Sequence, residues 1–201
     1  MPRSVKRIAV MGGTFNPIHN AHLISAEQVR AGLGYDKILF IPAARPPHKV
    51  TDTDIIDPEH RYEMVTLAIA GNRDFAVSPI ELERAGPSYT IETLKTLKEL
   101  YGEQTELAWI VGADSLIEYK VWKDFNAVLA QCVLIATTRP NYDISRVPVE
   151  IRKQVTTFPI TGVDISATLL RERVRQGRSI RYLVPENVHA YIQQHRLYLA
   201  S

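Results

Sequence analysis

An apolar run, a pair of glycines and then a helical pattern, all inside the first 33 residues, most restrict how this chain can fold. Ile8-Ala9-Val10 has no polar side chain, so a strand built from it is buried on both faces. Gly12 and Gly13 follow as a glycine turn. Asn20 to Leu33 then repeats apolar residues at helical spacing, with Leu23, Ala26, Val29 and Leu33 on one face and Gly32 and Gly34 near the stop. The same alternation continues. Lys6 to Met11, Lys37 to Ile41, Leu107 to Val111 and Cys132 to Ala136 read as doubly buried strands. Pro58 to Ala70, with proline at its start, and Thr90 to Leu100 read as helices between them.

Strands alternating with helices at these lengths imply right-handed βαβ units. The expected fold is α/β: a Rossmann-like, doubly wound parallel sheet with helices on both faces and a small C-terminal helical part over about residues 165–201, the whole of 1–201 forming one domain. Ligands bind such sheets beyond the carboxyl ends of the strands, at the switch point. Met11 to His22 begins at that end of the first strand. The formal charge of +2 suits small anionic molecules and gives no reason to expect nucleic acid. Cys132 is the only cysteine, which excludes a disulfide framework and fits a reducing cytoplasm; its pattern is that of a core residue. Pro2 to Arg7 leads into a strand rather than the apolar stretch of a signal peptide, and no apolar run reaches the roughly 20 residues of a membrane span. A soluble cytoplasmic protein is expected, with self-association left open.

Two segments carry the candidate chemistry. After the double glycine come His19 and His22, spaced to share one face at the start of a helix. Their imidazoles can donate hydrogen bonds to phosphate oxygens, beside backbone amides and a helix N-terminus that also favour anions; the structural alternative makes each a capped or partly buried histidine. The glycines match neither the dinucleotide fingerprint nor the P-loop, and no further ligands support a zinc site. Far away, Asp164-Ile165-Ser166-Ala167-Thr168-Leu169-Leu170-Arg171 has Ser166 as a helix N-cap, Leu169, Leu170 and Val174 as a core stripe and Gly177 as a stop. Arg171 there opposes the helix dipole, a conflict that a bound anion relieves. Arg173, Arg175, Arg178 and Arg181 read as a solvated face, with RNA contact as the rival. Lys49, in the polar loop Ala43 to Asp57, is either a surface lysine or a cation that closes over phosphates. Ser88-Tyr89-Thr90 opens a helix whose amides can hold a carboxylate, Gly112-Ala113-Asp114 ends a strand, and Trp122, among polar neighbours, can stack on a flat ring. Trp109, inside a strand, reads as core.

Taken in order, these segments resemble the nucleotidyltransferase superfamily, with its early H-x-G-H and late I-S-S/T-x-x-R signatures, and more closely the bacterial nicotinate-nucleotide adenylyltransferases. The resemblance spans Gly12 to His19, Pro46-Pro47-His48-Lys49, Ser88 to Thr90, Gly112 to Asp114, Trp122 and Ile165 to Arg171, nearly the whole chain. Ala21 stands where the signature has glycine, and Ala167 where serine is common, while Ser166 and Thr168 keep both hydroxyls. The resemblance implies transfer of AMP from ATP to nicotinate mononucleotide, giving nicotinate adenine dinucleotide and pyrophosphate in NAD biosynthesis. It implies His19, His22 and Arg171 as catalytic residues, with Gly12, Gly13, Thr14, Phe15, Gly112, Asp114, Ser166 and Thr168 joining them around ATP. Asn16, Lys49, Ser88, Tyr89, Thr90 and Trp122 would then meet the mononucleotide. Mg2+ would arrive with ATP, held by phosphates rather than by protein ligands. The same chemistry on nicotinamide mononucleotide or phosphopantetheine is the nearer alternative. A non-catalytic nucleotide- or RNA-binding protein is the more distant one.

Overall fold

The computed structural model describes residues 7–47, 54–139 and 144–199. Six strands form one parallel sheet: β1 (Arg7–Gly13), β2 (Lys37–Pro42), β3 (Phe75–Val77), β4 (Glu106–Gly112), β5 (Val133–Thr138) and β6 (Thr156–Pro159), in the order β3-β2-β1-β4-β5-β6. The order reverses between β1 and β4, paired in the register Val10↔Trp109. Their carboxyl ends therefore open side by side at the switch point of a doubly wound sheet, as expected. The helices are α1 (Asn20–Leu33), α2 (Pro58–Ile69), α3 (Thr90–Tyr101), α4 (Phe125–Gln131), α5 (Val149–Arg152), α6 (Ala167–Arg175) and α7 (Glu186–Gln194).

Side chains alternate across a strand, and β1 divides its apolar residues accordingly. Ala9 and Met11 face a core shared with α1 (Ala26, Val29), α2 (Met64, Val65, Ile69), α6 (Leu170) and α7 (Val188, Ile192). Ile8 and Val10 face a second core built from α3 (Ile91, Leu94, Leu97), α4 (Phe125, Val128) and α5 (Ile151). The C-terminal helices thus close the same core as α1 rather than standing apart. α1 stops at Gly34, whose φ of +70° suits glycine and whose N–H donates to the Arg30 carbonyl.

The expected strands and helices form within two residues of the expected ends, apart from Lys6, which lies outside the described residues. Sequence periodicity missed β3 and β6, the two edge strands: three residues give no alternation, and β6 is mostly exposed. The core stripe of α6 also differs from expectation. Leu170 and Val174 face inward as expected, but Leu169 is 43% exposed and Arg171 is buried in its place. Cys132 is half-buried with Sγ against the Val128 carbonyl at 3.5 Å, and burial pushes its thiol up to about 12, so it is unreactive. Among the described residues, no helix is long and apolar enough to cross a membrane.

Candidate active site

Beyond the carboxyl ends of β1 and β4 lies a cavity of about 750 Å3, bordered by segments that follow β1, β4 and β5 and that lead into α3 and α6. Gly12, Gly13, Thr14, Phe15, Asn16, His19, His22, Ser88, Tyr89, Thr90, Gly112, Asp114, Trp122, Ser166, Thr168 and Arg171 all border it. Of the sequence-derived candidates only Lys49 is missing, because it lies outside the described residues, as does His48.

The glycines belong here for a reason other than a tight turn. Gly12 and Gly13 are the last residues of β1, and neither has positive φ. A Cβ on Gly12 would overlap the indole of Trp109, and one on Gly13 would lie 3.2 Å from the Phe15 ring. Trp109 is both core and cavity wall, 5% exposed yet bordering the opening. The turn itself falls at Phe15, with φ of +49°, and at the cis Asn16–Pro17 bond.

His19 is not on the helix face but is the N-cap of α1, in extended backbone, and His22 occupies the third helical position. The Nδ1 of His22 accepts the His19 backbone N–H at 3.2 Å, which leaves the proton of the neutral ring on Nε2. The two imidazoles stack with centroids 3.7 Å apart, and Phe15 meets His22 edge-on at 5.1 Å. Burial, with the Arg139 charge nearby, lowers His19 to about 4. Burial also holds His22 well below 6.5, with His19 and Arg139 adding to the effect. Both rings are therefore neutral donors at physiological pH. The His19 ring in turn faces the His22 backbone N–H, and the two residues form a reciprocal capping box. Ala21 lies in the second helical position and also borders the cavity, packed against the first core. Helical backbone tolerates its methyl group without strain.

On the opposite wall, Ser166 caps α6 by accepting the Leu169 N–H at 3.2 Å. Arg171 is 8% exposed; its Nη1 donates to the Asn16 carbonyl at 3.0 Å and its Nη2 lies 3.8 Å from Asp54, which Arg175 also pairs at 2.7 Å. Arg171 Nε is buried without a hydrogen-bond partner. Arg175 stays exposed, as expected of the solvated face, while pairing with Asp54, and Arg173 and Arg181 tie to Ser179 and Glu186.

The third wall is aromatic. Trp122 packs edge-to-face on Phe125 at 5.8 Å, and Lys123 sits 4.6 Å over the Tyr89 ring. The Tyr89 N–H donates to the Pro87 carbonyl at 3.0 Å, so Tyr89 offers no free amide at this end of α3, which begins at Thr90. Sequence reasoning missed Arg139 and Glu81, which also border the cavity. Glu81 is a buried carboxyl raised by desolvation and held by Thr93 Oγ1 at 2.6 Å. Among the described residues, no three His, Cys, Asp or Glu side chains gather as a metal site.

The profile of the cytidylyltransferase-like family matches residues 10–173. A probable nicotinate-nucleotide adenylyltransferase from Thermoanaerobacter sp. is 44% identical over 199 residues, which cover 96% of this chain and 94% of that relative. One from Thermus thermophilus is 43% identical over 192 residues, covering 96% and 99%. Among solved structures, Plasmodium falciparum nicotinic acid mononucleotide adenylyltransferase complexed with NaAD shares the fold at a TM-score of 0.78 and 20% identity, covering 96% of this chain and 97% of that one. With a family profile over most of its length and relatives at 43–44% identity over nearly all of it, the chain belongs to the cytidylyltransferase-like family, among its nicotinate-nucleotide adenylyltransferases.

Proposed function

We propose that this chain transfers AMP from ATP to nicotinate mononucleotide, releasing pyrophosphate and forming nicotinate adenine dinucleotide for NAD biosynthesis, and that residues 1–201 act as one nucleotidyltransferase domain in the cytoplasm. One observation carries the site assignment: the His19–His22 segment, the Ser166–Arg171 segment and the Ser88–Thr90 segment with Trp122 border a single cavity at the switch point. The structural relative complexed with NaAD, the product of this reaction, fits the reading.

In this mechanism a phosphate oxygen of the mononucleotide attacks the α-phosphorus of ATP. The new O–P bond forms as the bond to the β-phosphate oxygen breaks, and its electron pair leaves with pyrophosphate. A phosphate is already an anionic nucleophile, so the protein supplies alignment and charge stabilisation rather than a base. His22 Nε2–H and His19 donate to oxygens that gain charge in the pentavalent transition state. Arg171, with Ser166, Thr168 and the α6 N-terminus, holds the β- and γ-phosphates and the leaving group. Gly12 and Gly13 keep the floor low beneath ATP, with Thr14, Phe15, Gly112 and Asp114 around it. Mg2+ enters as part of the substrate MgATP, where it neutralises phosphate charge. Trp122 stacks on the pyridine ring, the Thr90 amide receives its carboxylate, and Asn16 and Ser88 line the mononucleotide's path.

The test is pyrophosphate release from MgATP with nicotinate mononucleotide, nicotinamide mononucleotide or phosphopantetheine as acceptor. The acid should turn over fastest, because a helix N-terminus favours a carboxylate over a neutral amide. No release above background with any acceptor rejects the enzyme reading, and faster turnover of the amide rejects the acceptor assignment.

A further inference from the structure

Arg61 has no exposed surface and is among the largest side chains so buried, yet it does not border the cavity. Four hydrogen bonds run from its guanidinium to backbone carbonyls. Nη1 donates to Thr14 at 2.7 Å and Ala43 at 2.6 Å, Nε to Ile56 at 3.0 Å and Nη2 to Ala44 at 3.2 Å. Those carbonyls come from the segment after β1, the segment after β2 and the lead into α2. A single planar fork therefore ties together three stretches that share no regular secondary structure.

A trans peptide points its C=O and the following N–H in opposite directions. Holding four carbonyls toward Arg61 aims the N–H groups of the following residues away from it. One case can be read directly: the Arg45 N–H, across the peptide from the Ala44 carbonyl, donates to Ser88 Oγ at 3.2 Å on the cavity wall. The Ser88 N–H returns to the Arg45 carbonyl at 3.0 Å. The other case concerns Phe15. Its φ of +49° is a conformation that bulky L residues rarely adopt, and the carbonyls on either side are each held by a guanidinium, Thr14 by Arg61 and Asn16 by Arg171. That clamp presents the Phe15 ring to Gly13 and to the edge of His22.

We propose that Arg61 is a positioning residue for nucleotidyl transfer: from outside the cavity it orients the peptides of Thr14–Phe15 and Ala44–Arg45, and so fixes His22 and the Ser88 wall relative to each other. The inference rests on the AMP-transfer reading. Its reach follows from geometry, since the fork links the ATP side of the cavity to the mononucleotide side.

The test compares parent, Arg61→Lys and Arg61→Gln, with kcat counted per folded molecule from circular dichroism at the assay temperature. An osmolyte restores any variant that is partly unfolded. Lysine keeps the charge, but its compact ammonium cannot span four carbonyls in three segments. Misplacement of reacting groups by about 1 Å costs on the order of 100-fold, so both variants should lose between about tenfold and 100-fold in kcat. Both should also show a raised KM for the mononucleotide, because the Ser88 wall moves with the clamp. A purely structural arginine would lower the folded fraction and leave kcat per folded molecule and both KM values within about twofold, which overturns the proposal. A parent enzyme that releases no pyrophosphate overturns the AMP-transfer reading instead.

Discussion

Replacing His22 by alanine removes two separable things. The first is a ring nitrogen that accepts the His19 N–H at 3.2 Å. A buried amide left without its acceptor costs about 1–3 kcal/mol of stability, so the thermal midpoint must be measured before any rate. The second is the Nε2–H donor. Because His22 stays well below 6.5 through burial and its neighbour His19, that donor is neutral, and it acts through a directed hydrogen bond rather than a charge. Loss of one preorganised donor to a transition-state oxygen typically costs on the order of 100- to 1,000-fold in kcat. The expected result, in a coupled pyrophosphate assay with both substrates saturating, is therefore a kcat loss of that order with KM for the mononucleotide changed by less than about threefold. His22→Asn separates the two effects, since its carboxamide oxygen can cap the His19 N–H while its donor reaches less far into the cavity. It should recover stability without recovering rate. A folded His22→Ala enzyme with parental kcat and a raised mononucleotide KM would refute the role given to this ring.

Other outcomes follow from the same geometry. His19 titrates near 4 when folded and 6.5 when unfolded, so the unfolded chain binds the extra proton between those values and stability falls as pH drops from about 6.5 to 4. The loss should approach about 3 kcal/mol, and urea unfolding should show its pH slope flattened in His19→Asn. Trp122→Ala should raise the mononucleotide KM about three- to tenfold, the value of one aromatic stacking contact, while leaving the KM for ATP within twofold; the reverse pattern would move the pyridine ring elsewhere. Gly12→Ala should cost about 1–3 kcal/mol by overpacking, because the added Cβ lies 2.9 Å from Cη2 of Trp109 and closer still to Cζ2. Unchanged stability there would mean that the indole moves aside freely.

Much of the site was legible because each wall is a contiguous segment at one sheet edge. Gly12 to His22 leaves β1, Ser88 to Thr90 enters α3, and Ser166 to Arg171 opens α6, so local patterns were enough to identify them. The fold was legible for the same reason: doubly buried strands and amphipathic helices advertise themselves by period. What stayed hidden depends on contacts between distant residues. Nothing near Gly12 announces that an indole will lie on it, and nothing near Tyr198 announces that its hydroxyl donates to Asn16 Oδ1 at 3.0 Å, 182 positions away.

Arg61 is the instructive case, because a signal did exist. It precedes Met64, Val65 and Ala68 by three, four and seven residues, so it falls on the apolar stripe of α2 rather than its wet face. Arg171 does the same in α6, three residues before Val174 and beside Leu170. A charge in that register must be buried, and a buried guanidinium requires hydrogen-bonding partners that a hydrophobic core lacks. Both helices present these residues at the carboxyl edge of the sheet, where irregular loops expose backbone carbonyls that no strand or helix uses. Arg61 finds Thr14, Ala43, Ala44 and Ile56 there, and Arg171 finds Asn16. The apparent pattern error in each helix is thus the sequence-level trace of a loop held in shape.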